Sequence, residues 1–309
     1  MKLTRRMFFK ANAVGAAGIA GLARPASASV ATGASPDALA MLVDTTRCVG
    51  CRACEAACSE ANGNAEPALL GDDRVFDRHR DTEPQAYTVV NRYPVPESAV
   101  AGDVRYIKTQ CMHCVEPACV SACPGRALEK TAAGPVVYHG ERCLGCRYCM
   151  VACPFDSPKF EYTRAVPYVK KCLFCAERQA RGLLPACAEA CPSGALQFGH
   201  RAALLEEART RIYQNPTQYV HHIYGEHEAG GTSWLYLSDV QPETLGLKAG
   251  LSTTPYPDLT RTALSAVPVV MTLWPPLLMA LYAFSHRRDR NGGDETTAGD
   301  RTIEEGDHA

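Results

Sequence analysis

Sixteen cysteines are the residues of this 309-residue chain whose type and spacing could do chemistry, and they fall into four groups of four. Groups one and three have the spacing C-x2-C-x2-C-x3-C, and groups two and four keep its two ends around a longer middle. Group one is Cys48, Cys51, Cys54 and Cys58; group two is Cys111, Cys114, Cys119 and Cys123; group three is Cys143, Cys146, Cys149 and Cys153; group four is Cys172, Cys175, Cys187 and Cys191. The pattern is an internal repeat of one metal-ligand cassette.

The spacing indicates iron–sulfur chemistry. Three cysteines in such a loop can surround one iron–sulfur cube, and the fourth, after a short helical turn, points toward another cube. Proline follows the fourth cysteine in groups two, three and four, as is typical of a helix that stops there. We therefore expect four [4Fe-4S] clusters, each held by three cysteines of one group and the last cysteine of a partner group. No group has a cysteine replaced, so nothing indicates a three-iron cluster.

Other uses of the cysteines explain the pattern less well. Eight disulfides would not account for four equivalent quartets. Zinc ribbons separate two C-x2-C knuckles and do not place three cysteines within seven residues. Covalent haem c needs the string C-x-x-C-H, which does not occur.

Composition excludes two broad classes. The chain is 46% hydrophobic and 21% charged, which is not the composition of a disordered protein. Lys and Arg number 32 against 33 Asp and Glu, so no net positive field favours nucleic acid as a partner. The length suits one large domain or two small ones.

The amino terminus resembles a twin-arginine export signal. The string Thr4–Lys10 contains Arg5-Arg6, and a weakly apolar run from Ala11 to Ala23 follows it. That run is shorter than the roughly 20 residues that a membrane helix needs. We predict a signal peptide over residues 1–28, cleaved near Ala28, with Ala31 as the other candidate. Export of the folded protein would let the clusters be inserted in the reducing cytoplasm.

A second apolar segment lies near the carboxyl end. Thr262 to Ser285 contains no charged residue and is long enough to cross a bilayer. Its prolines favour a kinked transmembrane helix packed against a partner over a buried helix of a soluble domain; they are Pro268, Pro275 and Pro276. The arginine-rich string His-Arg-Arg-Asp-Arg, residues 286–290, follows at once, so the positive-inside rule places the tail, residues 286–309, in the cytoplasm. Everything before the helix is then outside, in agreement with the export signal.

Short strands and helices must position the cysteine loops. The predicted strands are residues 41–44, 104–108, 135–138, 168–170, 195–199 and 234–237, and residues 201–212 have helical spacing. All strands but the last read as parts of small β-hairpins beside clusters. The fold class is α+β: two bacterial-ferredoxin-like dicluster modules with short hairpins and helices, plus one C-terminal transmembrane helix.

The two modules differ in how the chain builds them. Groups two and three are close in sequence and form an inner module, residues 104–165. Groups one and four form an outer module from residues 41–58 and 166–200, which completes a four-cluster region over residues 41–200. Residues 59–103 are a polar, proline-containing insertion that we expect to contact a partner and not to build core. Residues 201–260 extend the soluble domain up to the transmembrane helix over residues 262–285.

Four strings resemble the four-cluster electron-transfer subunits of membrane-bound respiratory oxidoreductases. They are MLVDTTRCVGCRACEAAC (41–58), YIKTQCMHCVEPACVSACP (106–124), CLGCRYCMVACP (143–154) and YGEHEAGGT (224–232). The resemblance is greatest to the iron–sulfur subunits of hydrogenase-2-type nickel–iron hydrogenases, and formate dehydrogenase beta subunits are similar over the same strings. The hydrogenase subunits are the better match because they carry their own twin-arginine signal and a C-terminal anchor.

This resemblance implies how the cysteines are shared. Groups one and four would exchange their last cysteines, and so would groups two and three. The implied quartets are Cys48, Cys51, Cys54 with Cys191; Cys172, Cys175, Cys187 with Cys58; Cys111, Cys114, Cys119 with Cys153; and Cys143, Cys146, Cys149 with Cys123.

The resemblance also implies a function. Four clusters make a one-electron path, so the chain needs no substrate pocket and is not catalytic alone. Because residues 262–285 contain no histidine for a haem, two partners are expected: exported nickel–iron hydrogenase subunits and a multi-helix, quinone-reactive membrane subunit. The soluble domain would lie on the periplasmic side of the cytoplasmic membrane. The alternatives are the beta subunit of a formate dehydrogenase or other molybdopterin enzyme and, from another class, a redox sensor or binding protein.

Residues beside the cysteines could adjust the reduction potentials. The candidate cations are Arg47, Arg52, Arg126, Arg142, Arg147 and Lys171, with ordinary solvated side chains as the alternative. His113, His221 and His222 are expected to be hydrogen-bonded structural residues and not ligands, since the cysteines already supply four ligands for each of four cubes.

Overall fold

The computed structural model describes residues 38–96, 98, 102–164 and 168–292. The predicted signal peptide over residues 1–28 and the tail beyond residue 292 lie outside them. The chain divides into two compact units, one ending at Pro257 and one starting at Asp258. The first unit contains all sixteen cysteines, and the second contains the whole apolar segment over residues 262–285.

Short elements dominate the described chain. The strands are β1 (Leu39–Asp44), β2 (Thr88–Pro94), β3 (Val104–Gln110), β4 (Leu128–Lys130), β5 (Val136–Tyr138), β6 (Lys159–Phe160), β7 (Val169–Lys170), β8 (Leu196–His200) and β9 (Trp234–Leu237). The α-helices are α1 (Ala53–Asn62), α2 (Ala118–Ser121), α3 (Tyr148–Val151), α4 (Ala176–Ala180), α5 (Ala186–Glu189), α6 (Arg201–Gln214) and α7 (Tyr256–Gly292). Mixed α/β content is therefore confirmed, and each predicted strand and helix of the soluble region has a counterpart.

A three-stranded sheet in the order β8-β1-β9 joins distant parts of the chain. β1 pairs antiparallel with β8 and parallel with β9, with Met41 opposite Trp234. Its side chains alternate between two cores, as expected for a strand covered on both faces. Met41 and Val43 pack with Phe174 near the cysteine loops, whereas Ala40 and Leu42 pack against α6. The sheet thus separates the cysteine-bearing side from a supporting helix.

The hairpin expectation is confirmed for three strands and wrong for two. β3, β5 and β7 pair antiparallel with β2, β4 and β6 respectively. β1 and β8, predicted as parts of separate hairpins, pair with each other across about 150 residues. Leu196 of β8 packs in one core with Met41 and Val43 of β1, and α6, which directly follows β8, packs against Ala40 and Leu42 on the other face of β1.

The insertion over residues 59–103 does build core, contrary to expectation. It contains β2, whose residues Val89 and Val90 are 2% and 1% exposed. Glu55 of α1 fixes this strand, because its carboxylate accepts from the Val90 amide at 2.6 Å and pairs with both Arg52 and Arg80. Pro84, Pro94 and Pro96 gave the segment its loop-like sequence, while the buried carboxylate supplies order that composition does not reveal.

Helix α7 is, among the described residues, the one helix long and apolar enough to cross a membrane. The stretch Tyr256–His286 reaches a mean hydropathy of 1.8 over its most apolar window, whose side chains are unburied within the chain. Pro268, Pro275 and Pro276 lie inside the helix. Its length and composition suit the predicted span over residues 262–285.

Candidate metal centres

All four cysteine groups share one local build. The first two cysteines of each group lie in a loop, and the third lies in a helix: α1, α2, α3 or α5. In groups two, three and four the helix ends two residues before the fourth cysteine and its proline. Group one lacks the proline, and α1 continues through Cys58 to Asn62. The helix stop predicted from proline therefore occurs in the three groups that carry it.

A left-handed backbone residue recurs two positions after the first cysteine of every group. These residues are Gly50, His113, Gly145 and Phe174. The bend turns an amide toward the preceding sulfur: the Phe174 amide donates to Cys172 Sγ at 3.3 Å. Amide donors stabilise thiolate sulfur, which is the form that binds metal. The loops thus arrange amides and sulfurs as an iron–sulfur site requires.

Two cavities bring cysteines of groups one and four together. The first is lined by Cys48, Cys51, Cys54 and Cys191. The second is lined by Cys58, Cys172, Cys175 and Cys187. Each cavity thus takes three cysteines from one group and the last from the other, as in the two quartets that the resemblance implies for these groups. We call these quartets A and B.

Cysteines of groups two and three also influence one another electrostatically across the two groups. Cys111 of group two raises the pKa of Cys153 in group three, second to burial. Burial is the largest cause of the raised pKa of Cys119, and Cys111 and Cys153 raise it further. Cys123 of group two likewise raises the pKa of Cys149 in group three, second to burial. We give the names quartet C and quartet D to the two sets that the resemblance implies for these groups. Quartet C is Cys111, Cys114, Cys119 and Cys153, and quartet D is Cys143, Cys146, Cys149 and Cys123.

Burial keeps these thiols from ionising by themselves. Burial is the largest cause in each case, and it raises the pKa of Cys48 to about 11, Cys58 to about 12, and Cys149 and Cys153 to about 11. A thiolate in such a place needs a positive centre, and metal coordination supplies one while releasing the proton. Four soft sulfur donors around each cavity fit an iron–sulfur cluster.

The cysteines of the four quartets are free thiols, and those of quartets A and B line cavities. All sixteen lie in the described residues, and all are free thiols without a disulfide. In the part of the chain that the structure describes, no three His, Cys, Asp or Glu side chains converge as a single metal ion requires. Zinc would draw four sulfurs to about 2.3 Å from one point. The quartets are instead spread around cavities.

Most of the predicted cations are not positioned to act strongly on the quartets. Arg47 is 46% exposed and pairs with Asp44, and Arg126, Arg142 and Arg147 are exposed. Arg52 is buried, but its charge is balanced by Glu55. Solvent and counter-charges weaken the field of such groups. Lys171 differs, since it is 3% exposed and donates to the Cys172 carbonyl at 3.0 Å.

The three histidines make hydrogen bonds within the described structure, two to backbone atoms and one to a side chain. His113 is fully buried, and its Nδ1 accepts from the Val136 amide at 2.9 Å. Burial, followed by the charges of Lys171 and Lys130, holds the pKa of His113 well below 6.5, so the ring is neutral. His222 binds Glu228 at 2.7 Å, and His221 contacts the Pro216 carbonyl. These contacts agree with the structural role expected for all three.

Sequence reasoning missed Lys108. This residue of β3 is 3% exposed and lines both the cavity of quartet A and that of quartet B. Burial is the largest influence on the pKa of Lys108 and lowers it, but ionised sulfurs at Cys187, Cys54, Cys172 and Cys58 together outweigh burial, so the pKa is raised overall. Its sequence signal is weak, because a lysine in a short strand usually points to solvent.

Quartets A and D reach the protein surface. Cys51 and Cys146 are the exposed cysteines, one from each of these quartets. Large apolar side chains stand beside them in solvent: Val49 is 62% exposed near Cys51, and Leu144 is 73% exposed near Cys146. Exposed apolar side chains next to a functional centre are typical of a partner-binding surface.

The chain matches known proteins over most of its length. Residues 102–201 match the family model described as a 4Fe-4S dicluster domain. A protein of Nitratidesulfovibrio vulgaris is 46% identical over 278 residues, covering 89% of this chain and 74% of that protein.

Two further relatives carry functional names. Hydrogenase-2 operon protein HybA of Escherichia coli O157:H7 is 38% identical over 286 residues, covering 79% of this chain and 84% of that protein. The nitrate-inducible formate dehydrogenase iron–sulfur subunit of Escherichia coli K12 is 34% identical over 206 residues, covering 64% of this chain and 67% of that subunit.

Proposed function

The chain belongs to the family of 4Fe-4S proteins that includes hydrogenase-2 operon protein HybA and the formate dehydrogenase iron–sulfur subunits, and from that premise we propose that it conducts electrons in a membrane-bound hydrogenase. It is an iron–sulfur electron-transfer subunit that binds [4Fe-4S] clusters and is related to subunits of oxidoreductase complexes. The proposal adds the number of clusters, their ligands, the partners and the side of the membrane.

The four quartets each hold one [4Fe-4S] cluster, so all sixteen cysteines are iron ligands. The observation that carries this proposal is the pair of cavities in which cysteines of groups one and four interleave. When bound, each cluster takes up and gives back one electron. Quartets C and D make the inner module, residues 104–165, and quartets A and B make the outer module from residues 41–58 and 166–200.

The quartets follow one another in the order A, B, C, D. Lys108 lines the cavities of both A and B, so these two are neighbours. Cys111 of quartet C raises the pKa of Cys172 in quartet B, after burial and Cys58, which supports B and C as neighbours. C and D share groups two and three. The exposed quartets, A and D, are then the two ends of the path and the places where partners exchange electrons.

The protein isolates the inner part of this path from water. Cys111, Cys119, Cys172 and Cys187, which belong to quartets B and C, are all buried. Phe174 and Trp234, at 1% and 0% exposure, pack beside them with ring centroids 5.5 Å apart. A dry, tightly packed surrounding lowers the reorganisation that accompanies charge movement. The chain's own contribution is therefore to fix sulfur positions and exclude solvent.

The partners proposed are exported nickel–iron hydrogenase subunits at one end and a multi-helix, quinone-reactive membrane subunit at the other. Helix α7 supports attachment to the cytoplasmic membrane. The twin-arginine-like string and the arginine-rich string over residues 286–290 support a periplasmic soluble domain and a cytoplasmic tail. The longer match to HybA than to the formate dehydrogenase subunit supports hydrogenase as the catalytic partner.

The experiment that tests this choice compares two electron donors. Membranes from cells lacking this protein should lose hydrogen-dependent quinone reduction and keep formate-dependent quinone reduction. Loss of the formate-dependent reaction alone would show instead that the protein serves a formate dehydrogenase. Retention of both reactions would contradict a role in respiratory electron transfer and favour a redox sensor.

A further inference from the structure

Lys108 stands between the two cavities of the outer module. Among the residues that the structure describes, it alone lines both cavities, and its side chain is 3% exposed. Cys54 of quartet A and Cys58, Cys172 and Cys187 of quartet B all act electrostatically on it. A single buried amine thus faces sulfurs of two quartets at once.

A closed set of contacts fixes this amine. Lys108 Nζ donates to Gln110 Oε1 at 2.9 Å, and Gln110 Nε2 donates to the Tyr236 hydroxyl at 2.7 Å. That hydroxyl donates in turn to the Lys108 carbonyl at 2.8 Å. The amine also lies 4.4 Å from the centre of the Trp234 ring. Gln110, Tyr236 and Trp234 are each at most 2% exposed, so Lys108 cannot swing out to solvent.

Lys108 has no carboxylate partner among the ion pairs of the described residues. Glu55, an acidic group that acts on Cys54 of quartet A, is already paired with Arg52 and Arg80. A buried charge without a counter-charge is strongly unfavourable. The negative charge that balances Lys108 must therefore come from the quartets themselves and from what they bind.

We propose that Lys108 is a fixed positive charge shared by quartets A and B that makes both of their clusters easier to reduce. This inference rests on the proposed function, since it requires that the quartets hold clusters. Reduction adds one electron and forms or breaks no bond, so the change in each cluster is one negative charge. A buried cation attracts the more negative, reduced cluster more strongly than the oxidised cluster, and it therefore favours reduction. The low polarity of the buried site makes this attraction strong.

The test replaces Lys108→Met in the full complex purified in detergent and titrates the clusters electrochemically with detection by electron paramagnetic resonance. Methionine keeps an unbranched side chain of similar length without the charge. We expect two of the four clusters to become harder to reduce. At the wild-type midpoint potential, the ratio of reduced to oxidised cluster should fall roughly tenfold or more for those two, and the other two should change little.

Arg47→Met is the matched control. Arg47 adjoins Cys48 of quartet A, but it is 46% exposed and paired with Asp44, so removing its charge should shift the ratio several-fold less. A Lys108→Met complex with full iron content and wild-type potentials would overturn the inference and leave the proposed function intact. Wild-type protein without the expected iron would instead overturn the proposed function.

Gln110→Glu gives a second route that keeps Lys108 in place. The new carboxylate would stand where Oε1 now accepts from the amine, so it would neutralise the charge with almost no change in shape. The same two clusters should become harder to reduce. If neither variant binds iron at quartets A and B, the variant Lys108→Arg separates charge from packing. Full iron content in Lys108→Arg would support a requirement for a positive charge at this position. Loss of iron in Lys108→Arg as well would show that the position requires the packing of lysine and would overturn the inference.

Discussion

Gly50 and Gly63 both adopt left-handed backbone, with φ of 70° and 61°, but only Gly50 leaves no room for a side chain. A Cβ atom at Gly50 would lie 2.5 Å from the Tyr106 ring, whereas one at Gly63 would meet nothing within 4 Å. Gly50 stands between Cys48 and Cys51 of quartet A. The close approach of this loop to β3 thus depends on one missing side chain.

Gly50→Ala should therefore empty quartet A, whereas Gly63→Ala should not. The first change adds a clash to the left-handed penalty of about 1–2 kcal/mol, and the second adds the penalty alone. Iron analysis of the two purified proteins measures the difference. We expect Gly50→Ala to lose about a quarter of the bound iron, and equal iron in both variants would contradict this role of Gly50.

Residue types and spacing indicated four groups of four cysteines, because ligand geometry restricts both; the division into quartets came from the resemblance and stays a prediction. Two of the left-handed positions in the cysteine loops are glycines, Gly50 and Gly145, so the sequence itself points to them. His113 and Phe174 hold the same backbone without glycine, so the sequence gives no sign of it there. Lys108 was missed for a related reason: what makes it special is the burial of β3 between two cavities, which depends on tertiary packing.

At the scale of elements, one buried ion pair attaches α6 to the central sheet. Arg211 of α6 lies 2.9 Å from the Asp44 carboxylate at the end of β1, and both side chains are less than a tenth exposed. The Tyr219 hydroxyl donates to the same carboxylate at 3.1 Å. Removing the arginine would leave Asp44 buried with weaker compensation from the half-exposed Arg47.

Arg211→Met should lower the free energy of unfolding by about 3 kcal/mol, chiefly because it leaves the buried Asp44 carboxylate without its buried counter-charge. Arg209→Met is the control on the same helix, since Arg209 is 55% exposed and should cost under about 1 kcal/mol. Thermal unfolding followed by cluster absorbance measures both, with midpoint decreases of roughly 6–12 °C and under about 4 °C. Equal decreases would show that the buried pair does not anchor α6.

Element prediction succeeded where periodicity was local and failed where pairing was distant. Residues 201–212 and 234–237 have clear patterns, and α6 and β9 lie there. β2 was hidden by flanking prolines, and its order comes from Glu55, which lies 35 residues before Val90. The pairing of β1 with β8 and β9 joins segments far apart in the chain, so no local pattern could specify the register.

At the scale of the whole molecule, the division at Pro257 separates the cysteine-bearing unit from nearly all of the apolar helix α7. A chain truncated after Pro257 should leave membranes in alkaline carbonate, because it lacks the stretch long enough to span hydrocarbon. A chain truncated after Gly292 keeps α7 and should stay with the membrane. Immunoblots of pellet and supernatant compare them; retention of the shorter chain would contradict the proposed single span.

The global organisation was predictable to the extent that repeats reveal it. Four similar cassettes indicated two paired modules, and the resemblance implied which groups pair. The proposed order A, B, C, D could not be read from the sequence, because the interaction between quartets B and C joins Cys111 and Cys172, which are 61 residues apart in the chain. The proposed order rests on the fold, in which Lys108 of β3 lines the cavities of both quartet A and quartet B.

Quantitative iron and acid-labile sulfide analysis of the anaerobically purified complex, combined with Mössbauer spectroscopy, tests the central claim most directly. Four loaded quartets predict about sixteen iron atoms and about sixteen sulfides per chain, all in cubane clusters. Brown protein with that content would agree with a four-cluster electron path. Colourless protein that lacks iron and carries its cysteines as disulfides would contradict it.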